Sequence, residues 1–155
     1  MIADSAPVIV VIALFGAIIG SFLNVCIHRL PRHESVVRPR SRCPGCGRAL
    51  PWYENVPVMS WLALRARCAG CGRRISIVYP AVELLTAAMY VSLYLVFGLT
   101  PLFAVRLLFA SALIVLAVTD LQERILPNAI TYPGVVLGLL FSIFLPQLKG
   151  QCPIK

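Results

Sequence analysis

Long stretches without a charged side chain alternate with short charged segments along this chain. Residues 5–27 carry no charge, and neither do 84–105, 107–119 and 125–148. A helix needs about 20 apolar residues to cross ~30 Å of hydrocarbon. Gly98-Leu99-Thr100-Pro101 divides the second run from the third. The pattern predicts helices over 7–28, 80–98, 101–119 and 130–146. The expected fold class is an all-α integral membrane protein of about four transmembrane helices. The first run has no basic segment before it and no small-x-small cleavage site directly after it, so it reads as an uncleaved anchor. The domain division is residues 1–28 (first span), 29–79 (loop), 80–146 (three further spans) and 147–155 (polar tail).

Composition agrees with this pattern and charge orients it. The chain is 59% hydrophobic and 13% charged, against roughly 25% charged for a soluble domain. Residues 29–80 hold ten arginines and two glutamates, a net +8 that equals the charge of the whole chain. Short loops rich in Lys and Arg stay in the cytoplasm. The loop is therefore expected inside and the N-terminus outside, with residues 120–128 back at the cytoplasmic face. Clustered arginines also attract nucleic-acid phosphates. Positive-inside bias and contact with anionic lipid headgroups account for the same arginines, and no nucleic-acid partner is expected.

Four of the six cysteines make two similar knuckles, Cys43-Pro44-Gly45-Cys46-Gly47-Arg48 and Cys68-Ala69-Gly70-Cys71-Gly72-Arg73. Two C-x-x-C pairs separated by 21 residues match the spacing of a tetrahedral zinc site. A tight x-x turn lets both thiolates of one knuckle reach one ion. The following glycine lets the turn close, with backbone N–H groups toward sulfur. The flanking arginines offset the charge of a zinc–tetrathiolate centre. A four-cysteine site is closed, so its role is to fold the loop. The competing readings are a disulfide or redox pair, which a reducing compartment and the symmetry of the knuckles disfavour, and bystander thiols. Cys26 reads as a packed apolar side chain, and Cys152 has no assigned role.

Polar residues inside the spans carry the remaining signals. Gly16-x-x-x-Gly20 and Gly134-x-x-x-Gly138 are close-packing patterns, and Asn24 is placed to hydrogen-bond across helices. Arg106 can snorkel to headgroups. Glu83 either pairs with an arginine of the loop or helps shape a polar site. Asp120 is one of only two aspartates in the chain, the other being Asp4. It lies where an apolar run stops, ahead of Leu126-Pro127, where Pro127 ends any helix. A carboxylate at the mouth of a membrane helix is a functional-site hypothesis by default. The alternative is an ordinary interfacial Asp closing a span.

These residues also carry a family resemblance. Gly20-Ser21-Phe22-Leu23-Asn24-Val25, followed by Arg29-Leu30-Pro31, resembles the first-helix signature of the prepilin leader peptidases. The paired knuckles, Glu54-Asn55-Val56-Pro57-Val58-Met59-Ser60-Trp61-Leu62, Tyr79-Pro80-Ala81-Val82-Glu83 and the segment from Asp120 to Asn128 resemble theirs too, and the likeness covers most of residues 15–138. It implies a membrane aspartic endopeptidase of the bacterial inner membrane, active at the cytoplasmic face. Its substrates would be type IV prepilins or type II secretion pseudopilins. Many such enzymes also methylate the new N-terminus with S-adenosylmethionine. The resemblance makes Asp120 the first of two catalytic aspartates, the second lying in a later Gly-x-Gly-Asp. No Gly-x-Gly-Asp occurs here, and no aspartate follows Asp120. The family has about eight helices, so the chain reads as truncated or frameshifted, and inactive alone. Glu83 and Glu123 are the nearby acids that could shape the site, though neither is expected to replace an aspartate. No motif for the methyl donor is visible. The alternative function is a non-enzymatic, membrane-anchored zinc module that binds a pilus or secretion partner.

Overall fold

A computed structural model describes residues 6–38, 40–123, 130–136 and 138. Four α-helices follow in chain order: α1 (Ala6–Arg29), α2 (Met59–Ala63), α3 (Val78–Phe97) and α4 (Phe103–Glu123), with 3-10 turns at Leu30–Arg32 and Trp52–Asn55. Residues 130–136 are also helical. Three helical segments among the described residues are long and apolar enough to cross a membrane: Ala6–Arg32, Val78–Phe97 and Phe103–Glu123. Most of the fourth expected span, 130–146, lies outside the described residues. So do Leu126-Pro127-Asn128, the tail and Cys152.

The helix ends follow from local chemistry. Pro31 stops α1 by opening a single 3-10 turn, which closes on His33 in the left-handed region with its N–H on the Leu30 carbonyl. Pro80 sits in the first turn of α3, where a missing N–H leaves no bond unmade. Gly98 ends α3 at φ 63°, its N–H reaching Tyr94 O at 2.8 Å. The end of α4 differs from the expectation. The charge pattern ends this helix at 119, where charged residues begin, yet it runs on to Glu123. Backbone hydrogen bonding does not need apolar side chains, so a helix can leave the hydrocarbon without ending. Asp120 therefore sits inside the helix, and Glu123 lies one turn further along the same face.

Close packing of α1 on α3 organises the bundle. A Cβ on Gly16 would lie 2.8 Å from Ala87 Cα, and one on Gly20 would lie 2.7 Å from Glu83 Cα. Both glycines are thus required for the two backbones to approach. No such contact surrounds Gly134 or Gly138 among the described residues. Leu23 and Ile27 of α1, Val82 of α3, and Ile114 and Val115 of α4 form the buried core. The Tyr90 and Ser111 hydroxyls are 2.8 Å apart and tie α3 to α4. Outward faces stay apolar, with Val11, Leu14, Ile18, Leu108 and Phe109 all exposed, as a lipid-facing surface requires. Arg106 does not reach away from the protein. Its guanidinium lies 4.0 Å over the Phe97 ring and donates to Thr100 Oγ1, bracing the turn between α3 and α4.

Candidate functional site

The two knuckles fold as near-copies. In the first, Cys43 N–H donates to Arg48 O and Gly47 N–H to Cys43 O. In the second, Cys68 N–H donates to Arg73 O and Gly72 N–H to Cys68 O. An isolated antiparallel bridge closes each one, Arg42 with Ala49 and Arg67 with Arg74. Gly47 (φ 68°) and Gly72 (φ 70°) occupy left-handed turns, which glycine adopts without steric cost. The sequence assigns the post-knuckle glycine two jobs, closing the turn and facing sulfur. Its amide does close the turn, but the sulfur-facing N–H groups come from the preceding glycines: Gly45 N–H points to Cys43 Sγ and Gly70 N–H to Cys68 Sγ.

The knuckles also interlock. The side chain of Arg48 packs against Gly70 of the other knuckle, and Arg73 packs against Gly45. Arg48 is held by Glu54, Nη2 to Oε1 at 2.6 Å. This fixes one of the arginines expected to offset the sulfur charge. All four Sγ atoms, of Cys43, Cys46, Cys68 and Cys71, lie within 4.8 Å of one another, and Cys43 Sγ is 3.7 Å from Cys71 Sγ. With metal–sulfur bonds of about 2.3 Å, the sulfurs of a zinc tetrahedron stand about 3.8 Å apart. The donor set therefore fits a thiophilic divalent ion. The backbone N–H groups of Gly45 and Cys46 bring the Cys43 thiol down to about 6. Against the downward pull of the Arg73 amide, burial and the neighbouring thiols push Cys71 up to about 11. One thiolate forms readily and the last does not, so a bound cation supplies what full ionisation of the cluster needs.

The loop side of the bundle collects the C-terminal ends of α1 and α4 and the N-terminal end of α3. Asn24, buried in α1, donates from Nδ2 to Tyr79 O at 3.0 Å, the cross-helix bond the sequence suggests. Glu83 is buried and bonds to no arginine of the loop. Its Oε2 accepts the Val58 N–H at 2.7 Å, which docks the loop onto α3. Val58 has φ 58° and ψ −48°, the rare γ-turn conformation, which strains a β-branched residue. Met59 N–H closes on Pro57 O around it. Nothing in the sequence marks Val58, because the partner of its N–H lies 25 residues away.

Glu123 is paired with Arg32, Oε1 to Nη2 at 2.9 Å. Asp120 is exposed and makes no hydrogen bond or ion pair among the described residues. The three acids thus stand in different situations: Glu83 holds backbone, Glu123 holds an arginine, and Asp120 is open to solvent and ligand. Thr119, next to Asp120, is fully buried, and its hydroxyl lacks a partner among the described residues.

Comparison with known proteins adds to this geometry. The profile described as Bacterial Peptidase A24 N-terminal domain matches residues 14–97, and that of the Type IV leader peptidase family matches residues 107–153. A Myxococcus xanthus protein called prepilin leader peptidase/N-methyltransferase is 51% identical over 129 residues, covering 83% of this chain and 38% of the relative. A Bacillus subtilis protein of the same name is 39% identical, covering 77% of this chain and 48% of the relative. One from Pseudomonas putida is 34% identical, covering 96% of this chain and 60% of the relative. The chain therefore spans roughly 40–60% of the length of these relatives. No solved structure gives a significant match.

Proposed function

The chain belongs to the bacterial A24 peptidases, the prepilin leader peptidase family, and from that premise we propose that it forms the Asp120-bearing part of a membrane aspartic endopeptidase. The substrate class is the type IV prepilins or type II secretion pseudopilins. The site is the cytoplasmic face of the bacterial inner membrane, with the arginine-rich loop inside. The proposed division is a first span over 1–28, a zinc-folded loop over 29–79 and further spans over 80–146. One observation supports Asp120 above all: of the acids that α3 and α4 carry at this face, it is the one that no other group of the described residues engages, while Glu83 and Glu123 have structural partners.

Peptide hydrolysis by carboxylates needs a pair. One takes a proton from the attacking water, and the other, kept protonated by its neighbour, donates to the leaving amide nitrogen. Asp120 supplies one member. Glu83 is poorly suited to be the other, since moving it would free the Val58 amide. Glu123 would have to leave Arg32. The second carboxylate is therefore proposed to come from outside residues 1–155.

Zinc is the proposed ion of the four-cysteine cluster. Held by Cys43, Cys46, Cys68 and Cys71, it would cross-link the loop and take no part in hydrolysis. S-adenosylmethionine is implied by the name of the relatives. The described grooves do not fit it well: the one beside Arg29 and Arg40 opposes a sulfonium by charge, and no methyl-transfer step is derived. The second reading is a non-enzymatic zinc module docking a pilus or secretion partner, favoured by the exposed Met59 and Leu62 of α2. Co-purification of assembly components with an Asp120→Asn variant would support it.

The test is complementation. Residues 1–155 are expressed in bacteria lacking their own leader peptidase, alone and with a separately encoded C-terminal half of the Myxococcus xanthus relative. Blotting for shortened prepilin should show cleavage only in the pair, and Asp120→Asn should abolish it. Mature pilin from residues 1–155 alone would overturn the need for an outside carboxylate. Cleavage by the Asp120→Asn pair would remove the role of Asp120.

A further inference from the structure

A groove of about 260 Å³ lies where α1 leaves its span and the loop begins, lined by Arg29, Arg40, Val37, Leu50, Trp52 and Asn55 among others. Its walls are built. Arg29 Nη1 donates to Ser35 O at 2.8 Å, and Glu34 N–H returns to Arg29 O. The Ser35 hydroxyl accepts the N–H groups of Val37 and Arg38. The opposite wall is pinned by Leu50 N–H on Ser41 O at 2.8 Å. Two arginines thus line one opening, and no carboxylate lines it among the described residues. Glu54, the acid nearest in sequence to Trp52, is spent on Arg48.

The apolar part of the groove is as informative. Val37 is 78% exposed and Trp52 is 77% exposed. Both lie on a loop of net charge +8, where bulk water would be a poor setting for them. Tryptophan beside arginine at the end of a span is the composition of the membrane interface. A phosphate there would meet guanidinium donors, while its glycerol end met Trp52, Val37 and Leu50.

We propose that the groove between the end of α1 and the loop binds the phosphate headgroup of an anionic membrane lipid, with Arg29 and Arg40 as the phosphate-binding residues and Trp52 against the glycerol. The site stands apart from leader cleavage. It gives the surplus of arginines a specific ligand in addition to a diffuse attraction, and it anchors the zinc loop to the bilayer surface.

The experiment uses the full chain in detergent, titrated with phosphatidylglycerol or phosphatidylcholine and read by mass spectrometry under conditions that keep lipid bound. Wild type should hold one phosphatidylglycerol about tenfold more tightly than phosphatidylcholine, because the two lipids share the phosphate but the choline cation of the second is repelled by the two guanidinium groups. Arg40→Gln should bring the two lipids to similar affinity. Arg40 is exposed and unpaired among the described residues, so the variant should keep its fold, checked by its metal content. Arg38→Gln, close by but not lining the groove, should keep the preference. Equal affinity in the wild type would overturn the proposal. So would an equal loss in Arg38→Gln, which would mark a general field effect. Displacement by millimolar glycerol phosphate would assign the site to a soluble phosphate instead, and no displacement is expected.

Discussion

Removing the Glu83 carboxylate should release the loop from the bundle at one identifiable amide. In the native chain Glu83 Oε2 accepts the Val58 N–H at 2.7 Å from a side chain that is 7% exposed. A hydrogen bond to a charged acceptor contributes about 1.5–3 kcal/mol. Val58 sits at φ 58°, and a non-glycine residue held there costs roughly 1–3 kcal/mol. The two quantities are of similar size, so the Glu83 bond offsets the strain that the local Met59 N–H to Pro57 O bond holds in place. Glu83→Ala should therefore let residues 56–59 relax, and the Val58 amide should exchange with solvent about 10- to 150-fold faster. Glu83→Gln keeps an acceptor and should lose much less. Val58→Gly in the Glu83→Ala background should restore part of the protection, because glycine accepts this φ without strain. Hydrogen exchange read by mass spectrometry, on protein in micelles, resolves the segment. Unchanged protection in Glu83→Ala would refute the reasoning, for the strain would then be offset by something other than this carboxylate.

Other expectations follow from single contacts. Gly20→Ala should destabilise the bundle by about 1–3 kcal/mol through overpacking on Glu83 Cα, whereas Gly134→Ala, with nothing close to it among the described residues, should be near neutral; unfolding in graded detergent mixtures distinguishes them. Metal analysis should find one zinc per chain, lost in Cys43→Ser or Cys71→Ser, and chelation should expose residues 41–75 to protease while circular dichroism of the long helices persists. Ala66→Gly should stabilise the loop by roughly 1 kcal/mol, since Ala66 lies at φ 58° where a Cβ is unfavourable, as thermal unfolding of the metal-loaded protein would report. Arg32→Ala should shift stability by no more than about 1 kcal/mol, because its pair with Glu123 is largely solvent-screened.

Much of this protein was legible in its sequence because the relevant physics is local or compositional. Charge-free runs set the spans, since each backbone group in hydrocarbon must bond within its own helix. The C-x-x-C spacing set the metal cluster, since two thiols in one tight turn reach one ion. Gly16-x-x-x-Gly20 announced a close helix contact. The sequence could not say that Gly20 faces Glu83, or that Gly134 faces open space among the described residues. It also could not rank the acids. Asp120, Glu83 and Glu123 look alike as letters near span ends. Only the folded arrangement places the strained Val58 amide on Glu83 and Arg32 on Glu123, leaving Asp120 without a partner among the described residues. Composition and spacing describe what a segment can do by itself. Which carboxylate stays open depends on groups 25 and 91 residues away, and those distances close only when the helices pack.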